Sequence, residues 1–177
     1  TKEDFFFIQQ NSTEKILQEV ISLSTGRLEK FGNYDFFKNI QVLTPTKKGP
    51  LGTRELNKAL QNVLNPNIDE LPEKANGGAI FRVGDRIMQI KNNYDITWEK
   101  ENSPKQEYNI GGYKIPQKPE IGTGVFNGEM GTILEIDEKE KVIKIQFDDE
   151  KVAWYGFTEL EQIEHSYAIT IHKAQRK

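Results

Sequence analysis

The sequence of 177 residues contains no cysteine, only two histidines and no long apolar run. Without cysteine the chain can form neither a disulfide nor a thiolate metal site, and His165 and His172 are too few for a convincing metal centre. No stretch has the roughly 18 consecutive apolar residues that a transmembrane helix requires. Residues 1–4 show no signal peptide. We therefore expect a cytoplasmic protein without a membrane partner.

Charge of either sign is not in large excess. The net charge is −3, with 29% charged and 36% hydrophobic residues. This composition is typical of a globular protein with one medium domain, or one domain plus a small insert. The net charge provides no overall attraction to nucleic acid. A local basic groove is still compatible with it, because binding depends on where the charges lie.

Three short apolar segments separated by acidic turns predict consecutive β-strands. They are Thr132–Ile136, Val142–Phe147 and Val152–Tyr155. In the middle segment the larger apolar side chains alternate and share one face, namely Ile143, Ile145 and Phe147. Short strands at this spacing predict a small SH3-like barrel. Because such a barrel buries little surface alone, we expect it to be an insert in something larger.

The first part of the chain has the pattern of a parallel sheet with helices. The apolar run Asp4–Ile8 predicts a buried strand, and Ile16–Leu23 has the spacing of a helix. Ile40–Leu43 predicts the next strand, and Arg54–Leu64 a second amphipathic helix. Strand, helix, strand and helix in this order indicate an α/β fold.

A basic loop, Thr44–Thr53, follows the carboxyl end of the second predicted strand. Ligands of open α/β sheets bind at that end, and the lysines, glycines and hydroxyl residues of this loop suit a phosphate. An ordinary basic surface loop explains the same residues. It is not a Walker A loop, because G-x-x-x-x-G-K-[ST] does not occur in the sequence.

The segment before the barrel strands predicts a strand, Arg86–Ile90, and a polar turn, Lys91–Asp95. Within this turn Lys91, Asn92 and Tyr94 suit contact with a phosphate or stacking on a base. A plain turn explains them equally well.

Three further segments complete the prediction. Asn67–Gly78 is polar and predicted to be a loop, whereas Glu161–Ala168 is predicted to be a helix that leads into a strand. Ile96–Thr123 is a long insert, interpreted as a hairpin or excursion on the barrel rim. Its Trp98 is interpreted as packing against the barrel, with base stacking as the alternative.

The end of the chain, Tyr167–Gln175, resembles motif V of superfamily 1 DNA helicases. The most similar variety is the RecD-like group, which includes the exodeoxyribonuclease V alpha subunit. Further stretches resemble that group in the same order, namely Ile40–Pro66, Phe81–Gln89, Asn92–Asp95 and Phe126–Gly131. Together they cover most of the chain, which makes the resemblance far more specific than any one motif.

The resemblance implies a partial RecA-like parallel sheet, domain 2A, interrupted by an SH3-like β-barrel, domain 2B. Residues 1–80 are expected to form the first part of domain 2A. Residues 81–160 are expected to form the barrel, with an excursion at 96–123. Residues 161–177 are expected to return to domain 2A with motif V.

The function implied by the resemblance is that of a fragment of an ATP-dependent DNA helicase that unwinds DNA in recombination and repair. The implied partners are single-stranded DNA, the first RecA-like domain of the parent chain, and RecB- and RecC-type subunits. The implied DNA-binding residues are Thr44, Lys47, Asn92, Thr170, His172 and Lys173. Gln175 is expected to lie nearest the ATP and to couple it to DNA.

The sequence also departs from the family pattern. Motif V continues Q-G-x-E in the family, whereas Arg176 and Lys177 follow Gln175 here. Motif VI and the Walker A and B motifs do not occur. We therefore expect a fragment that does not hydrolyse ATP alone, with ATP and Mg²⁺ as cofactors of the full-length parent and no cofactor in the fragment.

A protein- or peptide-binding module without a DNA role is the alternative. SH3-like barrels often bind peptides through aromatic grooves. On this hypothesis Trp98, Trp154 and Tyr155 form a docking surface. Changes at Trp154 would then matter, and a change at Lys173 would not.

Overall fold

The computed structural model describes residues 5–100, 109–110, 113–114 and 119–175. The chain divides into two compact units. Unit 1 comprises Thr1–Pro66 and Tyr167–Lys177, and unit 2 comprises Asn67–Ser166. The sequence prediction set its boundaries elsewhere, at 80/81 and 160/161.

The secondary structure alternates in unit 1 and is almost entirely strands in unit 2. In chain order the elements are α1 (Thr13–Ser22), α2 (Leu28–Gly32), α3 (Phe36–Asn39), β1 (Val42–Thr44), α4 (Thr53–Leu64), β2 (Glu73–Asn76), β3 (Ala79–Arg82), β4 (Arg86–Gln89), β5 (Asn93–Lys100), β6 (Asn109–Ile110), β7 (Tyr113–Lys114), β8 (Glu120–Val125), β9 (Met130–Asp137), β10 (Val142–Phe147), β11 (Val152–Gly156), β12 (Ile163–His165), β13 (Ala168–Thr170) and α5 (Ile171–Ala174). A π-helical turn, Leu23–Arg27, joins α1 to α2, and a 3₁₀ helix, Phe157–Gln162, joins β11 to β12.

Unit 1 contains the predicted helices. Ser12 caps α1 by accepting a hydrogen bond from the backbone N–H of Lys15 at 3.3 Å, and the backbone leaves helical geometry at Gly26. Helix α4 buries Leu56 and Leu60, as its apolar spacing predicted. The buried cluster of this unit consists of Phe36, Leu56, Leu60, Tyr167 and Ala168.

The sheet of unit 1 is a parallel pair, β1 and β13. Val42 lies opposite Ala168, and Thr44 lies opposite Thr170. The predicted parallel strand at Ile40–Leu43 is therefore confirmed, with its start shifted to residue 42. The mixed α/β character is confirmed with it.

The strand predicted at Asp4–Ile8 is wrong for its described part. Phe5–Ile8 has no strand geometry, and all four side chains are exposed. A strand needs a neighbour to satisfy its backbone N–H and C=O groups. Among the described residues no strand pairs with this segment. Apolar composition alone did not indicate whether such a neighbour existed.

Unit 2 is organised by a seven-stranded antiparallel sheet in the order β12-β4-β9-β10-β11-β5-β8. The three predicted barrel strands correspond to β9, β10 and β11. In β10 the predicted face is buried, and the alternate residues are half-buried or exposed. The largest fully buried aliphatic and aromatic side chains of this unit are Phe81, Ile87, Val125, Ile133, Ile143, Ile145, Tyr155 and Leu160.

The loop predicted at Asn67–Gly78 is wrong in its second half. β2 and β3 form an antiparallel hairpin there, with Asn76 paired to Ala79. Gly77 and Gly78 form its two-residue turn with φ angles of 57° and 86°. Two successive positive φ angles are the geometry of a tight hairpin turn, and Gly-Gly is a typical sequence for it. Because most residues of β2 are polar, the segment before the Gly-Gly turn did not have the apolar pattern of a strand.

The helix predicted at Glu161–Ala168 is also wrong. Ile163–His165 forms β12, which pairs with β4 so that Ile163 lies opposite Gln89. Ile163 is buried whereas Glu164 is exposed, which is the alternation of a strand. The predicted turn at Lys91–Asp95 is shorter than expected, because β5 begins at Asn93.

The insert Ile96–Thr123 is described only in part. β5 and β8 form an antiparallel pair that extends to Lys100 opposite Glu120, and β6 pairs with β7. The hairpin interpretation holds for these strands. The remainder, with Pro104, Tyr108 and Pro116, lies outside the described residues.

Candidate nucleic-acid interface

Two threonines end the parallel strands of unit 1 side by side. Thr44 is the last residue of β1, Thr170 is the last residue of β13, and the two are register partners. The carboxyl ends of both strands therefore meet at one edge, which is where α/β sheets bind ligands. We use the term strand-end edge for Thr44, Lys47, Thr170, His172 and Lys173.

The hydroxyl group of Thr44 forms a hydrogen bond within the protein. Its side chain is buried, and its hydroxyl donates a hydrogen bond to the carbonyl oxygen of Leu51 at 2.7 Å. A phosphate oxygen only accepts hydrogen bonds, so it would have to displace that bond to receive one from Thr44. The Thr44 side chain therefore fixes the conformation of the loop that follows β1.

The basic loop after β1 is tightly wound. Thr46 bonds the backbone of Lys48 in both directions, and the N–H of Gly52 donates to Gly49 at 2.9 Å. A Cβ at Gly52 would lie 2.6 Å from the carbonyl oxygens of Lys47 and Lys48, so only glycine fits there. The wound backbone leaves the Lys47 side chain exposed.

Thr170 caps the last helical turn. Its Oγ1 accepts from the backbone N–H of Lys173 at 3.4 Å, and its backbone is extended, as an N-cap requires. Among the described residues the hydroxyl hydrogen of Thr170 has no acceptor. His172 and Gln175 are exposed, and Lys173 is half-buried. Thr170 is therefore the hydroxyl donor of this edge that remains available to an anion.

Asn57 holds the edge in place, and sequence analysis missed it. Its Nδ2 donates to the carbonyl oxygen of Ala168 at 2.9 Å, and its Oδ1 accepts from the N–H of Ala168 at 2.8 Å. The side chain is buried on α4. It satisfies both the N–H and the C=O of Ala168 in β13, as the backbone of a neighbouring strand would. A polar residue next to Leu56, on the face of α4 that buries Leu56 and Leu60, was the signal that could have found it.

Asn92 belongs to unit 2, whereas the residues of the strand-end edge belong to unit 1. It is exposed, and its Oδ1 accepts from the backbone N–H of Asn127 at 2.9 Å. The contact ties the turn before β5 to the turn after β8. Tyr94, which begins the exposed part of β5, is exposed beside Phe126.

The three aromatic residues of the peptide-binding alternative do not form one surface. Tyr155 is fully buried, and its hydroxyl donates to Oε1 of Gln89 at 3.0 Å. Trp98 lies opposite Ala153 in the sheet and packs against the core, whereas Trp154 is exposed on the other face. The alternation of strand β11 separates Trp154 from Tyr155. The docking surface predicted for these three residues is wrong.

Two buried titratable groups of unit 2, Tyr155 and Lys151, have shifted pKa values. Desolvation raises the pKa of Tyr155, and the charges of Glu129 and Glu159 raise it further. Burial alone lowers the pKa of Lys151, but hydrogen bonds from its ammonium group to Glu129 and Asp149 outweigh burial and leave that pKa raised. Both side chains form hydrogen bonds within unit 2, Tyr155 to Gln89 and Lys151 to Glu129.

The described part of the chain has neither a metal-binding cluster nor a membrane-spanning helix. It contains no group of three His, Cys, Asp or Glu side chains placed to hold a metal ion. None of its helices is long and apolar enough to cross a membrane.

Comparison with protein families and curated proteins gives consistent matches. The model described as the SH3 domain of ATP-dependent RecD-like DNA helicases matches residues 56–147. The ATP-dependent RecD2 DNA helicase of Deinococcus radiodurans is 32% identical over 136 residues, which are 77% of this chain and 14% of that protein. An uncharacterized protein of Methanocaldococcus jannaschii is 29% identical over 176 residues, which are 94% of this chain and 13% of that protein. The chain thus spans a small part of the length of these relatives.

Comparison with solved structures gives weaker likenesses. A structure of unliganded Pif1 from Bacteroides sp. has 16% identity and a TM-score of 0.28, over 64% of this chain and 40% of that one. A Pif1 helicase structure described as a basis for DNA unwinding at forked duplexes has 15% identity and a TM-score of 0.34, over 94% of this chain and 38% of that one.

Proposed function

The chain belongs to the family of ATP-dependent RecD-like DNA helicases with an SH3 domain, and on this premise we propose that it is a DNA-contacting segment of such a helicase. In this proposal unit 1 is part of a RecA-like domain 2A, and unit 2 is the SH3-like domain 2B. The segment holds single-stranded DNA at the strand-end edge. The longer protein unwinds DNA in recombination and repair.

The observation that supports the proposal most is the parallel register of Thr44 and Thr170. It brings the basic loop after β1 and the turn after β13 to the same end of the sheet. The edge therefore combines an exposed lysine, Lys47, with a hydroxyl donor and the cationic Lys173. Hydroxyl donors and lysines together suit a phosphate backbone, because neither group requires a particular base.

The residues of the edge have different roles in the proposal. Thr170 donates its hydroxyl hydrogen to a DNA phosphate while its oxygen caps α5. Lys173 and Lys47 supply positive charge, and His172 contacts the strand from its exposed position. Thr44 acts mainly by fixing the loop through Leu51. Asn92 contributes a separate contact from unit 2.

ATP and Mg²⁺ are proposed as cofactors of the longer protein. The described residues do not fit these groups by themselves, because they contain no metal-binding cluster and the sequence has no Walker A loop. Other segments must therefore supply the phosphate and metal ligands. Gln175, exposed at the end of α5, is proposed to report the nucleotide state to the edge. The first RecA-like domain, RecB- and RecC-type subunits and a cytoplasmic location belong to the same proposal.

The proposal is tested by fluorescence anisotropy of labelled oligo-dT across a salt series, with the wild-type chain and a Lys173→Ala variant. Each phosphate contact made by a lysine releases counterions, so affinity falls with salt. We expect Lys173→Ala to weaken binding and to reduce the slope of log Kd against log salt by about 1.

A Lys139→Ala variant is the matched control. It removes the same charge from the exposed turn between β9 and β10 of unit 2. The proposal is contradicted if both lysine variants change the affinity and the salt slope equally, because binding would then depend on overall charge rather than on the strand-end edge.

A further inference from the structure

Tyr94 and Phe126 form a pair of exposed aromatic rings in unit 2, outside its buried core. The Tyr94 side chain is 66% exposed and the Phe126 side chain 40%. Their ring centroids are 5.5 Å apart, and the ring planes meet at 71°. This is an edge-to-face contact, which fixes the two rings against each other and leaves much of the tyrosine ring uncovered. Exposed aromatic groups of this size are unfavourable in water and often mark a binding site.

Glycine geometry and an asparagine contact hold the pair in place. Gly124 has a φ angle of 96°, and a Cβ at this position would lie 3.0 Å from Cζ of Phe126. The glycine therefore leaves the space that the phenylalanine ring occupies. Asn92 accepts the N–H of Asn127, which joins the two turns that carry the rings. A platform fixed in this way loses little conformational entropy when it binds a ligand.

A polar network below Tyr94 fixes the start of β5. Asn93 accepts the backbone N–H of Asp95 at 2.9 Å, and its Nδ2 donates to Oε1 of Gln162 at 2.9 Å. Gln89 donates to the same oxygen of Gln162 at 3.3 Å. These bonds anchor the backbone on both sides of Tyr94, so the exposed ring projects from a rigid base.

Charge around the pair favours a base over a phosphate. Lys91, the nearest cation in sequence, forms an ion pair with Glu161 at 2.8 Å. The hydrogen bond to Lys91 lowers the pKa of Glu161, so the carboxylate stays charged and continues to neutralise the lysine. A neutral aromatic surface attracts the faces of bases, which stack without requiring a particular sequence. Asn92 adds an amide N–H at the rim.

We propose that Tyr94, supported by Phe126, stacks against an unpaired nucleobase of single-stranded DNA. This inference rests on the proposed function, because that function supplies the DNA strand. It assigns unit 2 a contact with the base, whereas the strand-end edge of unit 1 contacts phosphates. Stacking and phosphate contacts differ in their salt dependence, which allows the two to be tested separately.

The experiment measures the affinity of the full chain for labelled oligo-dT and for an abasic oligonucleotide of the same length and charge. The variants are Tyr94→Ala, Tyr94→Phe and, as a control, Trp154→Ala, which removes an exposed aromatic ring from β11. We expect Tyr94→Ala to weaken binding of oligo-dT roughly 5- to 100-fold with an unchanged salt slope. Tyr94→Phe should retain wild-type affinity, and the abasic strand should not distinguish the variants.

The outcomes separate this inference from the proposed function when Lys173→Ala is measured alongside. Equal affinities of wild type and Tyr94→Ala for oligo-dT overturn the stacking inference, and a reduced salt slope of Lys173→Ala would leave the proposed function intact. A loss with Tyr94→Ala but not with Lys173→Ala supports stacking and contradicts the strand-end edge. A loss equal to that of Trp154→Ala also overturns the inference, and no binding by the wild type overturns both proposals.

Discussion

The two units of the chain bury their apolar residues very differently. In unit 2, consecutive strands fold onto one another and enclose a core that includes Ile133, Ile145 and Tyr155. In unit 1 the buried cluster is small, and Phe5 and Phe31 are 80% and 70% exposed. In unit 2, β9, β10 and β11 pair with their neighbours along the chain, whereas the parallel pair of unit 1, β1 and β13, joins segments more than a hundred residues apart. The position of β13, which carries Thr170, therefore depends on few contacts, among them the buried cluster that Ala168 shares with Leu60 of α4 and the hydrogen bonds of Asn57 with Ala168.

The largest expected effect compares one core residue from each unit. Ile145→Ala in unit 2 and Leu60→Ala in unit 1 each remove a fully buried side chain, and each should cost about 2–5 kcal/mol of unfolding free energy. Both tryptophans, Trp98 and Trp154, lie in unit 2, so their fluorescence follows that unit. Within the described residues the α-helices lie in unit 1, so far-UV circular dichroism mainly follows unit 1.

We therefore expect each variant to shift the urea midpoint measured by fluorescence and the midpoint measured by circular dichroism by different amounts. Ile145→Ala should lower the fluorescence midpoint more, and Leu60→Ala should lower the circular dichroism midpoint more. An equal shift of both midpoints by either variant would contradict the division into two units. Gln146→Ala, at an exposed position of β10, is the control and should change neither midpoint appreciably.

A smaller effect is expected at the contact between α4 and β13. Asn57→Ala leaves the buried N–H and C=O of Ala168 without their partners, at a cost of about 2–4 kcal/mol. The loss should appear in the circular dichroism transition of unit 1. Asn62→Ala, on the exposed side of the same helix, should remain within about 0.5 kcal/mol of the wild type. Equal costs for the two variants would show that Asn57 does not anchor the strand.

The smallest effect concerns the pH dependence of unit 2. The pKa of Tyr155 is raised above its ordinary value of 10.0 by burial. The unfolded chain therefore ionises first, and the unfolding free energy falls as the pH rises above that value. The raised pKa of Lys151 acts in the same direction, because its stabilising charge is lost at high pH.

Tyr155→Phe isolates the tyrosine contribution. At neutral pH it should cost about 1 kcal/mol, because Gln89 loses its hydrogen-bond donor. Above pH 10.0 its stability should fall less steeply than that of the wild type, so the two curves converge. The measurement is urea denaturation followed by fluorescence from neutral to alkaline pH. Parallel curves over this range would disprove the assignment to Tyr155.

Local patterns predicted much of the fold. The alternation in Val142–Phe147 gave the correct buried face of β10, and the spacing of Leu56 and Leu60 gave the correct face of α4. These predictions succeeded because each depends on side chains within one element. Phe5–Ile8 has equally apolar side chains and forms no strand, because its outcome depends on a neighbour that local sequence does not specify.

The candidate site was predictable in its residue types but not in its connections. The resemblance to motif V indicated Thr170 and Lys173, and the basic loop indicated Thr44 and Lys47. Their direct alignment across two parallel strands required the register of segments more than a hundred residues apart. The bonds of Asn57 to Ala168 span a separation of 111 residues. The roles of these residues in DNA binding stay predictions.

The central claim is that single-stranded DNA contacts the strand-end edge, and backbone amide NMR of the isotope-labelled chain titrated with oligo-dT tests it most directly. The account predicts that the amide signals of Thr170, Lys173 and Lys47 shift progressively and saturate with the DNA. Signals from the turn around Lys139 should stay in place and serve as the internal reference. Saturable binding that shifts none of the strand-end signals would contradict the account.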